Sequence, residues 1–262
     1  MATVADILQH IETIAPPYMA EQWDKIGLNC GRMNNEVKKI LVALDPFPHV
    51  CQEAVQCGAD LLVTHHPLIW EDGFVTDATI QGQCVLKLLE HGIAHISAHT
   101  NLDCAPGGVN DTLATVLGLN AIEVIAPKGV DVNENPWGLM RVGTVTTQAL
   151  DKFLNKIKST LGCSGLRYVD AGKPVHRVAV GGGACGSELR DAANAGCDTF
   201  VTSDVKYNQF WDAKEMGINI IDAGHFHTEN PVCTVLAGKL AAAFPNVQVC
   251  ISQNHKDCVK YC

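Results

Sequence analysis

No uncharged apolar stretch of about 18 residues occurs in the sequence, so a membrane-spanning helix is not expected. Positive charge is also in short supply. Nineteen Lys and Arg against 28 Asp and Glu leave a net charge of −9, and duplex nucleic acid needs a basic surface that this chain does not offer. Extended nucleic acid is therefore not expected as a partner, whereas a compact phosphate held through a metal remains compatible. There is no Cys-x-x-Cys, no Gly-x-Ser-x-Gly nucleophile elbow and no P-loop Lys-Ser/Thr. Asp6, His10 and Glu12 interrupt the first apolar stretch, unlike a secretion signal, and the expected address is the cytoplasm.

What is present is globular: 47% of the 262 residues are hydrophobic, enough for one large domain or two modest lobes. Twelve cysteines are scattered from Cys30 to Cys262. In a reducing compartment they stay thiols, and Cys57, Cys197, Cys233 and Cys250 read as small core side chains. His255, Cys258 and Cys262 suggest a zinc site in the tail only weakly, because a structural zinc usually has four ligands.

Apolar periodicity predicts a helix over 4–14, with Thr3 as its cap and Pro16-Pro17 as its stop. A strand over 39–44, a helix over 48–57 ending at Gly58, and a strand over 61–64 follow. Then come a helix over 80–91, a strand over 93–98 and a helix over 109–117. Such alternation is the mark of an α/β layered fold with a largely parallel sheet.

The pattern then returns. Residues 175–202 align without a gap on residues 37–64 at an offset of 138, with Gly58/Gly196, Asp60/Asp198 and Thr64/Thr202 among the identities. A second match at offset 125 pairs the segments beginning at Glu90 and Glu215. The expectation is two related αβα-layered lobes from an internal duplication, about 1–126 and about 127–262. They would be joined near residues 125–137, with no inserted extra domain.

The unusual polar residues fall beyond the strand ends, where open α/β sheets gather ligands. His65-His66-Pro67 follows one strand. Consecutive side chains on a strand point apart, so the two imidazoles are expected to serve different ions. His99 and Asp103 follow the next strand, with Asn110-Asp111 as the expected cap of the helix beyond. His225 and Glu229 are four apart, one helical turn if that segment is helical. His227 reads as a neighbour. His99 is open between ligand and support. Mixed imidazole and carboxylate donors suit zinc, iron, manganese or nickel, and five such residues suit two divalent ions sharing a carboxylate. Each piece also has an ordinary reading, as loop histidines, a turn-forming Asp or a helix-terminal acid. The Gly181–Gly186 run, with Ser187 as a helix cap, either wraps a phosphate or allows close packing.

Several motifs in fixed order carry a resemblance. They are Glu21-x-Trp23-Asp24-x-x-Gly27-Leu28, Thr64-His65-His66-Pro67, and Ala98-His99-Thr100-Asn101-Leu102-Asp103 with Gly107-Gly108-x-Asn110-Asp111. Thr202-x-Asp204-x-x-Tyr207 and Asp222-x-Gly224-His225-x-x-Thr228-Glu229 complete the set. The chain resembles the GTP cyclohydrolase I type 2-like, or Nif three-like, family. The resemblance implies a dinuclear metal centre between the lobes, held by His65, His66, Asp103, His225 and a bridging Glu229. It also implies a toroidal homohexamer, a trimer of dimers. Ser203 and Asn208 stand where the family often has Gly and His.

Opening the purine ring of GTP would take metal-activated water at C8 and a proton donor for ring nitrogen. Asp204, Tyr207, His99 and His227 are the candidates for the donor. A hydrolase acting on other nucleotides or phosphorylated small molecules fits the same residues. The alternative is a metal-binding scaffold or regulatory partner without turnover.

Overall fold

A computed structural model describes all residues, 1–262. In chain order the elements are α1 (Val4–Ile14), β1 (Gly27–Cys30), β2 (Lys39–Ala43), α2 (Pro48–Cys57), β3 (Leu61–Thr64), α3 (Ile80–Glu90), β4 (Ala94–Ser97), α4 (Thr100–Cys104) and α5 (Val109–Val116). They continue with β5 (Asn120–Ile125), β6 (Gly129–Val130), β7 (Pro136–Trp137), β8 (Met140–Gln148), α6 (Leu150–Leu161), β9 (Arg167–Val169), β10 (Val175–Val180), α7 (Leu189–Asn194), β11 (Thr199–Thr202), α8 (Tyr207–Met216), β12 (Asn219–Asp222), α9 (His225–Glu229), α10 (Pro231–Ala243) and β13 (Gln248–Ile251). The helices and strands expected up to residue 117 are all present, within a residue or so at their ends. Thr3 caps α1 in a capping box with Asp6.

The chain forms two compact units. The first comprises Met1–Ala105 and Cys233–Lys256, the second Pro106–Val232 and Asp257–Cys262. The division thus falls at Ala105 rather than near residue 126. Residues 233–256 belong to the first unit because β13 pairs with β2, Val249 opposite Ile40.

In the first unit the sheet order is β1-β4-β3-β2-β13. Four strands run parallel, and β1 joins the edge antiparallel to β4. Leu41, Ala43 and Leu62 pack with Val50 and Ala54 of α2 and with Val85 and Leu88 of α3. Their alternates Ile40, Val42, Leu61 and Val63 are equally buried, as parallel strands covered on both faces should be.

In the second unit the order is β5-β8-β10-β11-β12-β9. Here the sheet is mixed rather than largely parallel. β10, β11 and β12 are parallel, while β8 and β9 flank them antiparallel. Val178, Val180, Val201 and Ile221 face Leu113 of α5 and Phe153 and Ile157 of α6. Ala179, Phe200 and Ile220 face Leu189 and Ala192 of α7 and Ala213 of α8. The period-two alternation of each strand therefore feeds two cores, one per face. The irregular 125–137 segment contains the β6–β7 ribbon.

The two repeated segments share local chemistry. Asp60 accepts from the backbone N–H of Lys38 and Lys39 at 2.8 and 2.9 Å. Asp198 accepts from His176 and Arg177 at 3.0 and 2.7 Å. Gly58 and Gly196 both end their helices with left-handed φ of 66° and 73°.

Candidate metal centre

The donors of the first unit lie beyond the carboxyl ends of adjacent parallel strands. β3 ends at Thr64, and His65 and His66 follow it on a turn. The rings do not point apart as strand alternation suggested: their centroids are 4.8 Å apart, because the pleat has ended before His65. The His66 N–H donates to the Leu44 carbonyl at 2.9 Å. The Thr64 hydroxyl donates to the His66 carbonyl at 2.6 Å, which pins the corner from within.

Each ring is oriented through Nδ1. His65 Nδ1 lies 2.9 Å from the Ala98 carbonyl. A carbonyl only accepts, so Nδ1 carries the proton and Nε2 presents a lone pair. His66 Nδ1 lies 2.6 Å from Asp45 Oδ1, and His99 Nδ1 lies 2.9 Å from Asp24 Oδ1. The carboxylates fix these tautomers in the same way. Burial would raise Asp45, but hydrogen bonds from His255 and His66 outweigh it and hold the carboxyl below its usual range. Burial likewise opposes the charge on Asp24, yet His99 and Thr100 bring it down to about 2. The donor atoms of His65, His66 and His99 lie within 4.8 Å of one another. Asp103 Oδ1 is 3.5 Å from His65 Nε2.

The donors of the second unit sit on α9. His225 and Glu229 share one helix, and His225 Nε2 is 3.0 Å from Glu229 Oε2. His225 Nδ1 is 2.7 Å from Asp204 Oδ2, and Asp204 holds a left-handed φ of 51°. Burial disfavours the His225 imidazolium. The hydrogen bonds to Asp204 and Glu229 overcome that and raise it to about 11. Asp204 itself is lowered by its bond from His225, and it orients that ring. Gly183 closes the floor: a Cβ there would sit 2.1 Å from Glu229 Oε1, so only glycine leaves the carboxylate its place. Imidazole nitrogens held by outer acceptors, together with buried carboxylates, fit a divalent ion of the borderline class.

Other sequence expectations are redirected. The Gly-rich run does not wrap a phosphate: Gly182 N–H donates to Asn110 Oδ1 at 2.6 Å and Gly183 N–H to Thr228 Oγ1 at 3.0 Å. Ser187 caps no helix; its hydroxyl donates to Glu188. Asn110 and Asp111 are not the cap of α5, which starts after Gly108. Asp111 instead pairs with Arg141, with Oδ1 2.8 Å from Nε. His227 turns to the Leu161 carbonyl and Asp257, and Tyr207 is exposed at the start of α8. His255 has Asp45 and His49 on its two ring nitrogens, leaving none for a tail zinc.

Sequence reasoning missed Asp45, the Ala98 carbonyl and the buried His95. A carboxylate one strand over from a His pair was the signal available for Asp45. His95 Nε2 is 2.8 Å from the Thr64 hydroxyl.

A mixed α/β protein with a His/carboxylate donor set beyond its strand ends defines the class. The comparisons then define the family. The family profile of Duf34/NIF3 (NGG1p interacting factor 3) matches residues 2–258, and the chain belongs to that family. It is 36% identical over 260 residues to a GTP cyclohydrolase 1 type 2 homolog of Clostridium perfringens, covering 96% of this chain and 97% of that relative. The structure of a Bacillus cereus protein related to NIF3 is similar with a TM-score of 0.93 at 25% identity, over 100% of this chain and 99% of that one. A Staphylococcus aureus protein gives 0.91 at 29% identity, over 100% and 99% of the two chains. No helix is long and apolar enough to cross a membrane.

Proposed function

We propose that this protein is a metal-dependent hydrolase acting on a nucleotide-like substrate, with ring opening of GTP as the specific version. In this reading the residues that would hold two divalent ions are His65, His66, Asp103, His225 and Glu229. One observation carries it: His65, His66 and His225 each have Nδ1 tied to an outer acceptor, the arrangement that metal-ligating histidines use. When bound, the ions supply Lewis-acid charge and make water a nucleophile near neutral pH, which suits a chain with no nucleophile motif.

The chain's own residues do the rest. Asp45, the Ala98 carbonyl and Asp204 orient the imidazoles. His99, anchored on Asp24 through Nδ1, presents an Nε2 lone pair that can take up a proton and pass it on, and it is the favoured group to deliver a proton to ring nitrogen. Trp23 and Trp70 lie edge-on to His99, with centroids 5.9 and 5.3 Å from it, and stay 59% and 49% exposed. Exposed indoles offer stacking surfaces to a planar base.

The internal duplication, the toroidal homohexamer and the cytoplasmic address belong to the same reading. The shared Asp60 and Asp198 bonding supports the first, and family membership supports the second. Light scattering checks the assembly, and a monomeric mass would contradict it. The function is tested by incubating GTP and other nucleotides with metal-loaded protein and measuring formate and pterin products. Consumption no greater than that of a His65→Ala control ends the hydrolase reading and leaves the metal-binding scaffold.

A further inference from the structure

Beyond the donors themselves, the parallel sheet of the first unit sets a row of polar side chains past its strand ends. Asp45 follows β2, His65 and His66 follow β3, and His99 follows β4. β13 pairs in parallel beside β2, Ile251 opposite Val42, so the segment after it leaves at the same end. The Ser252 N–H continues the pairing to the Val42 carbonyl at 2.8 Å.

That segment is then held by Glu53 of α2. The Ser252 hydroxyl donates to Glu53 Oε2 at 2.5 Å, and the backbone N–H of Gln253 and Asn254 donate to the same carboxylate at 2.8 and 3.3 Å. His255 N–H donates back to Ser252 Oγ at 3.1 Å. The latch delivers the His255 ring, whose side chain is only 5% exposed, to the second oxygen of Asp45, with Nε2 2.7 Å from Oδ2.

Asp45 accepts on both oxygens, so His66 Nδ1 and His255 Nε2 both carry protons. The other ring nitrogen of His255 faces His49 Nε2, 3.1 Å away, and the two share one proton between them. A carboxylate gripped on both oxygens cannot rotate away from the imidazole it orients, and support of this kind tunes metal affinity.

We infer that His255, on the C-terminal segment latched by Glu53, is a positioning residue that fixes His66 as a metal ligand by holding Asp45 from its far side. The inference rests on the reading of His66 as a ligand and adds a residue more than 180 positions away in sequence.

The experiment titrates cobalt(II) into the full chain against a competing chelator, reading affinity and the visible absorption of the bound ion. It uses wild type, His66→Ala, His255→Phe and His255→Gln, with melting temperatures alongside. Phe keeps a ring beside Phe47 and removes the donor; Gln restores an N–H donor. Expected is a loss of about tenfold in affinity with a shifted cobalt spectrum for His255→Phe, and recovery to within roughly threefold of wild type for His255→Gln. Unchanged affinity and spectrum in His255→Phe overturn the inference. Equal weakening in the Phe and Gln variants with lowered melting temperatures also overturns it, making the segment merely structural. If His66→Ala binds cobalt as wild type does, the ligand reading itself fails and the inference falls with it, a result the His255 variants alone cannot produce.

Discussion

Asp204 Oδ2 lies 2.7 Å from Nδ1 of His225, on the side of the ring away from Glu229. With a carboxylate at each nitrogen, His225 is held as an imidazolium up to about pH 11 in the metal-free protein. An ion can take Nε2 only after that proton leaves. Metal uptake at neutral pH should therefore release about one proton from this residue, and affinity should rise as pH rises toward 11. Asp204→Asn removes a charge that favours the imidazolium, so its proton release should fade at a lower pH than in wild type. Calorimetry in buffers of different ionisation enthalpy, repeated from neutral to alkaline pH, measures the release; the same pH dependence for both proteins would contradict the assignment.

Gly183 has a φ of +64° and no room for a Cβ beside Glu229. Gly183→Ala should displace that carboxylate and weaken metal uptake roughly tenfold. The backbone strain itself costs about 1–2 kcal/mol. Metal content by elemental analysis, set against the melting temperature, separates the two effects. Full metal content would show that Glu229 keeps its place.

Arg141 is almost wholly buried, and its guanidinium pairs with both oxygens of Asp111 at 2.8 and 3.1 Å. Asp111→Ala removes both of these bonds from a buried guanidinium and should cost about 1–3 kcal/mol in urea unfolding. Asp111→Asn should lose less, because one acceptor remains. A loss below about 1 kcal/mol for Asp111→Ala would mean the pair behaves like an exposed one.

His95 is fully buried, and burial lowers it to about 3 from 6.5. Its Nε2–H reaches the Thr64 hydroxyl, since that hydroxyl donates to His66. The unfolded chain binds a proton here that the folded chain refuses. This contribution to stability is thus intact above about pH 6.5 and falls as pH drops toward 3, by up to about 1.4 kcal/mol per unit. Urea midpoints at pH 5 and 7 should differ less in His95→Leu than in wild type. An equal difference would show that other groups carry the acid sensitivity.

The helix of residues 4–14 and the strands and helices up to residue 117 were legible because each is a local event. Apolar spacing, Thr3 at the start of α1 and glycines at Gly58 and Gly92 suffice to mark them. The antiparallel strands β5, β8 and β9 are not legible in the same way, since their pairing is non-local. The donor residues were legible as residue types beyond strand ends; the direction of each ring was not. His65 and His66 were expected to diverge and instead lie side by side, because the turn after Thr64 cancels the strand's alternation.

By itself the sequence determined the α/β class, the family motifs and the chemical inventory: imidazoles and carboxylates after strands, with no serine or cysteine nucleophile motif. These follow from periodicity and residue type along a short window. Only the tertiary structure decided that Asp45 and Ala98 orient His66 and His65, that Asp204 orients His225, that Asp111 pairs with Arg141, and that β13 returns the chain to the first sheet. Each of these joins residues far apart in sequence. Such partners are selected by sheet order and by the need of every buried donor, acceptor and charge for a counterpart, which no local pattern encodes.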